Sequence, residues 1–173
     1  ESFMKPHEFK NFFCLLIAAG NDTTRYSIAM ALYQLSLNNN LIGELKTNKY
    51  WGTCADEFIR LASPTMYFRR TATCNINKKK KKINKDDKVI LWFVSGNRDE
   101  KVFQSPHTPI ISRSPNPHIS FGQGGVHFCL GIWLARMEVR ILLEELIKNI
   151  DSIKLISEPT WTRSNFICGV KSL

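Results

Sequence analysis

The sequence predicts a mainly α fold with a minor β-sheet. Two long segments repeat apolar residues at helical intervals. Between them lie short β-branched and aromatic stretches of strand length. Gly, Pro and Asn clusters punctuate the rest.

Residues 9 to 37 carry Phe12, Phe13, Leu16 and Ala19, then Ala31, Leu32 and Leu35, at helical spacing. Gly20-Asn21-Asp22-Thr23-Thr24 interrupts that pattern. Gly in a helix costs about 1 kcal/mol relative to Ala, and Asn, Asp and Thr are poor formers. A weakened or kinked stretch is expected there, and Asn38-Asn39-Asn40 should end the helix. A second helix is expected over 51 to 61, with Ala55, Phe58, Ile59 and Ala62 on one side and Ser63-Pro64 as its stop. Met66 to Thr73 reads as a strand and Val89 to Val94 as a buried strand. The basic stretch 75 to 88 reads as an exposed turn, and the four prolines of 104 to 118 predict an irregular meander. A glycine-rich loop, 121 to 131, precedes a third helix bearing Ala135, Val139, Leu142, Leu143, Leu146, Ile147 and Ile150. The tail, 153 to 173, suggests a small hairpin. No internal repeat is found.

Composition narrows the function. With 43% apolar and 23% charged residues, neither disorder nor a collagen-like repeat fits. The net charge of +9 favours acidic partners. The longest mostly apolar run, Phe12 to Gly20, is about half of the ~20 residues that span a bilayer. No signal segment opens the chain, so a cytoplasmic protein is expected. The first residue is Glu1, which suggests a fragment boundary. Five cysteines, none at Cys-x-x-Cys spacing, argue against a disulfide framework or zinc ribbon and for a reducing compartment.

Cys129 stands apart from the other cysteines. It ends the glycine-rich loop and is expected at the start of a helix, whose dipole would favour a thiolate. Gly122, Gly124, Gly125 and Gly131 remove side chains around it, so a large flat group could approach the backbone. His127 lies two residues before the sulfur. A lone thiolate suits the one axial bond a haem iron needs. The alternative is a glycine turn with a buried Cys. Glu57 and Arg60 share a helix face at i, i+3; taken alone, they would be an ordinary surface ion pair. Asp22 and Thr23 set a carboxylate beside a hydroxyl and could relay protons, or mark a solvated kink.

The order Ala19-Gly20-Asn21-Asp22-Thr23-Thr24, Glu57-x-x-Arg60 and the Cys129 loop resembles the cytochrome P-450 family of haem-thiolate monooxygenases. Ser95-Gly96-Asn97-Arg98-Asp99, Phe103-x-x-Pro106 and Leu134-Ala135-Arg136 extend the likeness over nearly the whole chain. The resemblance implies that residues 1 to 173 form the C-terminal, haem-binding half of a single domain. It implies haem b as cofactor, with Cys129 as axial thiolate and only metal ligand. Asp22 and Thr23 would be the acid–alcohol pair that steers protons, and Gly20 the place where that helix opens beside the oxygen site. Glu57, Arg60 and Arg113 would brace the proximal side. Arg70 and His127 would contact the haem propionates, with His118 either a third contact or a packed loop histidine. Phe121 and Gly122 would line the haem.

Candidates facing an apolar substrate are Ala18, Ala19 and Thr23, then Thr65, Met66 and Phe68, with Phe166 and Ile167 from the tail. The expected reaction inserts one atom of dioxygen into a C–H bond of a hydrophobic substrate. Electrons would come from a ferredoxin or flavoprotein. No nucleic-acid partner is expected, and the activity would belong to a longer parent, the isolated fragment being inactive. Two features depart from the family pattern. Phe121 lies eight residues before Cys129, one more than usual, a variant that resembles bacterial sterol and steroid hydroxylases. Asp86 stands where a turn glycine is expected. The rival readings are a basic binding module and a haem protein without monooxygenase activity. Against the first, the lysines of 78 to 82 are not interleaved with aromatics.

Overall fold

A computed structural model describes residues 3–173. The first helix, α1 (Pro6–Leu37), begins with Pro at its first turn, and the Lys5 amide donates to Glu8 Oε2 at 2.8 Å. The helix runs unbroken through Gly20 to Thr24, contrary to the expected kink. Two hydroxyls follow the backbone there: Thr23 Oγ1 donates to the Ala19 carbonyl at 2.7 Å and Ser27 Oγ to that of Thr23 at 2.8 Å. Beyond them Tyr26, Met30, Ala31 and Leu35 are buried. That anchorage outweighs a propensity deficit of a few kcal/mol. The first half of the helix is largely exposed, Phe13 and Leu16 included, despite their helical spacing.

Asn38 ends α1 as expected, but a helix not foreseen from the sequence, α2 (Asn40–Lys46), follows at once. The asparagine cluster is a short corner between helices, and Leu41, Ile42 and Leu45 of α2 are buried. Helix α3 (Cys54–Ala62) starts with Asp56 and Glu57 in its first turn, where carboxylates complement the dipole. It stops at Ser63, which adopts a left-handed φ of 41°.

The minor sheet is three separate two-stranded ribbons. Strands β1 (Tyr67–Thr71) and β4 (Lys88–Trp92) pair antiparallel, with Phe68 opposite Leu91. Between them β2 (Ile76–Lys78) and β3 (Lys81–Ile83) form the lysine hairpin, whose turn residues Lys79 and Lys80 both have positive φ. Asp86, in place of the expected glycine, has φ 71°. Strands β5 (Thr160–Trp161) and β6 (Val170–Ser172) close the tail hairpin. A single turn, α4 (Phe93–Gly96), follows β4, and α5 (Ile132–Asn149) follows the glycine-rich loop.

The expectation of a buried strand at 89 to 94 is corrected. Ile90 and Leu91 are exposed, and Trp92 is 51% exposed. A two-stranded ribbon has no second layer unless another element covers it. Only Phe93, in α4, is buried from this run. The core is helical: Ala31 and Leu35 of α1, the apolar residues of α2, Phe58 and Ile59 of α3, and Val139, Leu143 and Ile147 of α5 pack together. Ile111, from the meander, completes it.

Candidate functional site

The glycine-rich loop is held by its own backbone. The Gly122 amide donates to the Ile119 carbonyl at 2.9 Å and the Phe128 amide to that of Gly125 at 3.1 Å. The amide of Cys129 donates to the Phe121 carbonyl at 3.0 Å, so the two ends of the loop meet. Gly122, Gly124 and Gly125 have φ of 79°, 66° and 77°. A Cβ would find room at all three, so it is the left-handed backbone that calls for glycine. Helix α5 starts at Ile132, so Cys129 precedes the helix rather than opening it.

The Cys129 thiol is half-buried and is not in a disulfide. Among the described residues no three His, Cys, Asp or Glu side chains group as a metal site. Next to Cys129 in the chain, Val126, Phe128 and Leu130 are exposed, Val126 by 96%. His127 is exposed as well. One thiol on a glycine loop beside exposed apolar side chains suits a flat, apolar group bound through a single axial sulfur. Haem therefore fits these residues. Cys54, by contrast, lies in the core, where burial pushes its thiol up to about 12.

Behind the loop lies a buried ionic network. Glu57 and Arg60 are fully buried, so the surface ion-pair alternative is set aside. Arg60 Nη2 reaches Glu57 Oε1 at 2.8 Å and Arg60 Nε reaches Oε2 at 2.9 Å, a bidentate pair. The Ile110 amide donates to Oε1 at 2.9 Å; Arg113 Nε and Asn116 Nδ2 donate to Oε2 at 3.0 and 3.1 Å. Arg60 Nη1 donates to the carbonyls of Asn97 and Pro106 at 2.7 and 2.8 Å. Burial alone would raise the Glu57 pKa, but these donors outweigh it and hold the carboxyl below its usual range. Arg113 joins the pair; its Nη2 and the Asn116 Oδ1 are buried without a protein partner.

Sequence reasoning missed the roles of two residues here. Asn97 lay inside a matched motif but had no assigned role. It is fully buried, and its Nδ2 donates to Ser63 Oγ at 2.9 Å and Ser120 Oγ at 2.8 Å. Its Oδ1 accepts from the Ile119 amide at 2.7 Å. It thereby ties the end of α3 to the segment entering the cysteine loop. The other is Asp56, whose Oδ1 accepts from His118 Nε2 at 3.0 Å and Arg136 Nε at 2.7 Å. His118 is a packed loop histidine, with its side chain 1% exposed. An Asp directly before a motif Glu and an Arg inside Leu-Ala-Arg were the available signals, but nothing in sequence joins positions 56 and 136.

On α1 the acid–alcohol pair makes local bonds. Asp22 Oδ1 accepts from Arg25 Nη2 at 2.8 Å, at the surface. The Thr23 hydroxyl is spent on the Ala19 carbonyl. Gly20 lies in regular helix, and a Cβ there would meet nothing within 4 Å. Arg70 is exposed, and its Nη1 donates to the Arg69 carbonyl at 3.0 Å.

Several substrate candidates do converge. The Met66 amide donates to the Phe166 carbonyl at 2.9 Å, and Thr65 bridges Ile167. The Phe68 ring lies 5.9 Å from Phe166 and 5.6 Å from Phe93, both edge-on. The tail hairpin is thus fastened to the segment after α3. Ala18 and Ala19 lie on the exposed half of α1.

The sequence model of the family described as Cytochrome P-450 matches residues 2–158. The methyl-branched lipid omega-hydroxylase of Mycobacterium tuberculosis is 40% identical over 98% of this chain and 40% of its own length. The steroid C26-monooxygenase of Mycolicibacterium smegmatis is 38% identical over 97% of this chain and 39% of its own. The crystal structure of CYP109E1 from Bacillus megaterium in complex with corticosterone superposes with a TM-score of 0.92 at 32% identity. That match covers 99% of this chain and 47% of the other. The chain spans about two-fifths of the length of these curated relatives.

Proposed function

Since the chain belongs to the cytochrome P-450 family, we propose that it is the haem-binding C-terminal half of a single-domain monooxygenase acting on a hydrophobic lipid or steroid. One observation carries the reading: a half-buried, unpaired Cys129 thiol on a loop of left-handed glycines, with apolar side chains exposed beside it. Bound at that thiolate, haem b would supply dioxygen activation and the insertion of one oxygen atom into a C–H bond.

The protein's share is ligation, bracing and proton handling. Cys129 would hold the haem iron through its thiolate, and the hydrogen bond from its amide to the Phe121 carbonyl fixes the backbone that carries the sulfur. Glu57, Arg60 and Arg113 keep the meander folded behind the loop. Arg70 and His127 are exposed, with no carboxylate partner among the described residues, so they are available to the propionates. Thr23 would carry protons at Oγ1 after leaving the Ala19 carbonyl, with Asp22 as the acid that reloads it once released from Arg25. Ala19, Met66 and Phe68 are the proposed substrate-lining residues. The names of the relatives support a lipid or steroid class: one is an omega-hydroxylase of methyl-branched lipids, another a steroid C26-monooxygenase. Electrons would come from a ferredoxin or flavoprotein. No helix among the described residues is long and apolar enough to cross a membrane.

The test is the carbon-monoxide difference spectrum of the longer protein that carries these residues, expressed with ample haem. A thiolate-type band that vanishes in Cys129→Ala is expected. Its absence from the unaltered protein would overturn the assignment.

A further inference from the structure

Phe121, whose carbonyl holds the Cys129 amide, is itself gripped on its ring. The His118 ring lies 5.6 Å from it, centroid to centroid. The Arg136 guanidinium lies 5.5 Å from the same ring. Both grips hang from one atom, Asp56 Oδ1, at 3.0 and 2.7 Å. The Ser120 amide donates to His118 Nδ1 at 3.3 Å, which leaves Nε2 as the protonated nitrogen that donates to Asp56. The orientation of the imidazole is therefore set from both ends. Three elements remote in sequence, α3, the segment entering the loop and α5, meet at this oxygen. An ordinary surface pair would contribute little. This carboxylate differs because it joins two groups that each lie against the same aromatic ring.

We propose that Asp56 is a positioning residue for the cysteine loop: through His118 and Arg136 it fixes Phe121, and through the Phe121 carbonyl it fixes the amide and sulfur of Cys129. The clamp suits a loop with eight positions from aromatic to cysteine, because an extra glycine adds backbone freedom that some contact outside the loop must remove. The proposal deepens the haem-thiolate reading and rests on it for its consequence at the metal. Its geometric content does not. Burial alone would raise the Asp56 pKa, but the two hydrogen bonds outweigh it, so the acceptor is a carboxylate at neutral pH.

The test is Asp56→Asn in the holoenzyme that carries this chain, with hydrogen exchange followed at the Cys129 amide. Exchange about tenfold faster is expected there, with the α1 core amides of Ala31 and Leu35 unchanged. His118→Gln should loosen the same amide, and D56N combined with R136Q should loosen it no further than D56N alone. In the same samples the reduction potential should move, and part of the carbon-monoxide band should leave its thiolate position. Asp56→Glu should restore part of both. Unchanged exchange at Cys129, or exchange raised equally throughout the protein, would overturn the proposal. If the exchange results hold but the unaltered protein shows no thiolate band, Asp56 still positions the loop and the haem assignment fails alone.

Discussion

The backbone amide of Cys129 hydrogen-bonds the carbonyl of Phe121 at 3.0 Å, closing a loop whose glycines at 122, 124 and 125 all have positive φ. The sulfur's place therefore depends on backbone angles that an L side chain resists.

Gly122→Ala should lower stability by about 1–2 kcal/mol, because its cost is conformational rather than steric. Gly52→Ala is the control: a Cβ added there would meet nothing within 4 Å, and its φ is not positive. Urea denaturation of both variants checks this, and equal midpoints would contradict it.

The Glu57–Arg60 pair is fully buried. Glu57→Gln keeps the shape and removes the charge, leaving Arg60 and Arg113 facing a neutral amide. A loss of about 3–5 kcal/mol is expected, as for other buried pairs broken on one side. A loss below about 1 kcal/mol, the range of a surface pair, would show that the network is not closed as described.

Acid should unfold the protein through the same groups. Glu57 and Asp56 both lie below their ordinary values of 4.5 and 3.8 when folded. Above those values both are ionised in either state, so their stabilisation is fully present and flat with pH. As pH falls through the lower folded values, the folded state must take up protons that the unfolded chain already holds, and the stabilisation is lost. The urea midpoint should not change through these groups above about pH 6 and should fall below about pH 5. Glu57→Gln should make the acid limb shallower; an unaltered limb would remove Glu57 from the account.

Gly169 packs against Tyr26 of α1. A Cβ there would run into the Tyr26 ring, closer than any side chain tolerates. Gly169→Ala should therefore cost about 1–3 kcal/mol and loosen the tail hairpin. Tyr26 also accepts a hydrogen bond from Thr162 Oγ1 at 3.1 Å, so both effects should appear in the melting of that hairpin. Tyr26→Ala in the same chain should relieve the clash. If the double variant is no more stable than the sum of the single effects, the contact is not the cause.

Local order accounts for what could be read from the residues alone. Helices α3 and α5, the tail hairpin and the proline meander follow from spacing and turn chemistry. The glycines of the cysteine loop, the shared face of Glu57 and Arg60, and the solvated lysine hairpin are local too. The exposed strand of 88 to 92 was misjudged because an apolar run carries no information about how many layers cover it. The unbroken α1 was misjudged because propensity counts one residue at a time, whereas the helix is held by side chains buried beyond the weak stretch.

Residue order by itself determined the chemistry on offer: one distinctive thiol, a carboxylate and a guanidinium one turn apart, an acid beside an alcohol. Tertiary structure decided which of these are joined. Glu57 became the centre of a buried network because residues 53 and 56 positions away, Ile110 and Arg113, fold back onto it. Asp56 reached Arg136 across 80 positions. Such partners are set by the packing of helices and meander into one core, a sum of many weak contacts that no short motif encodes.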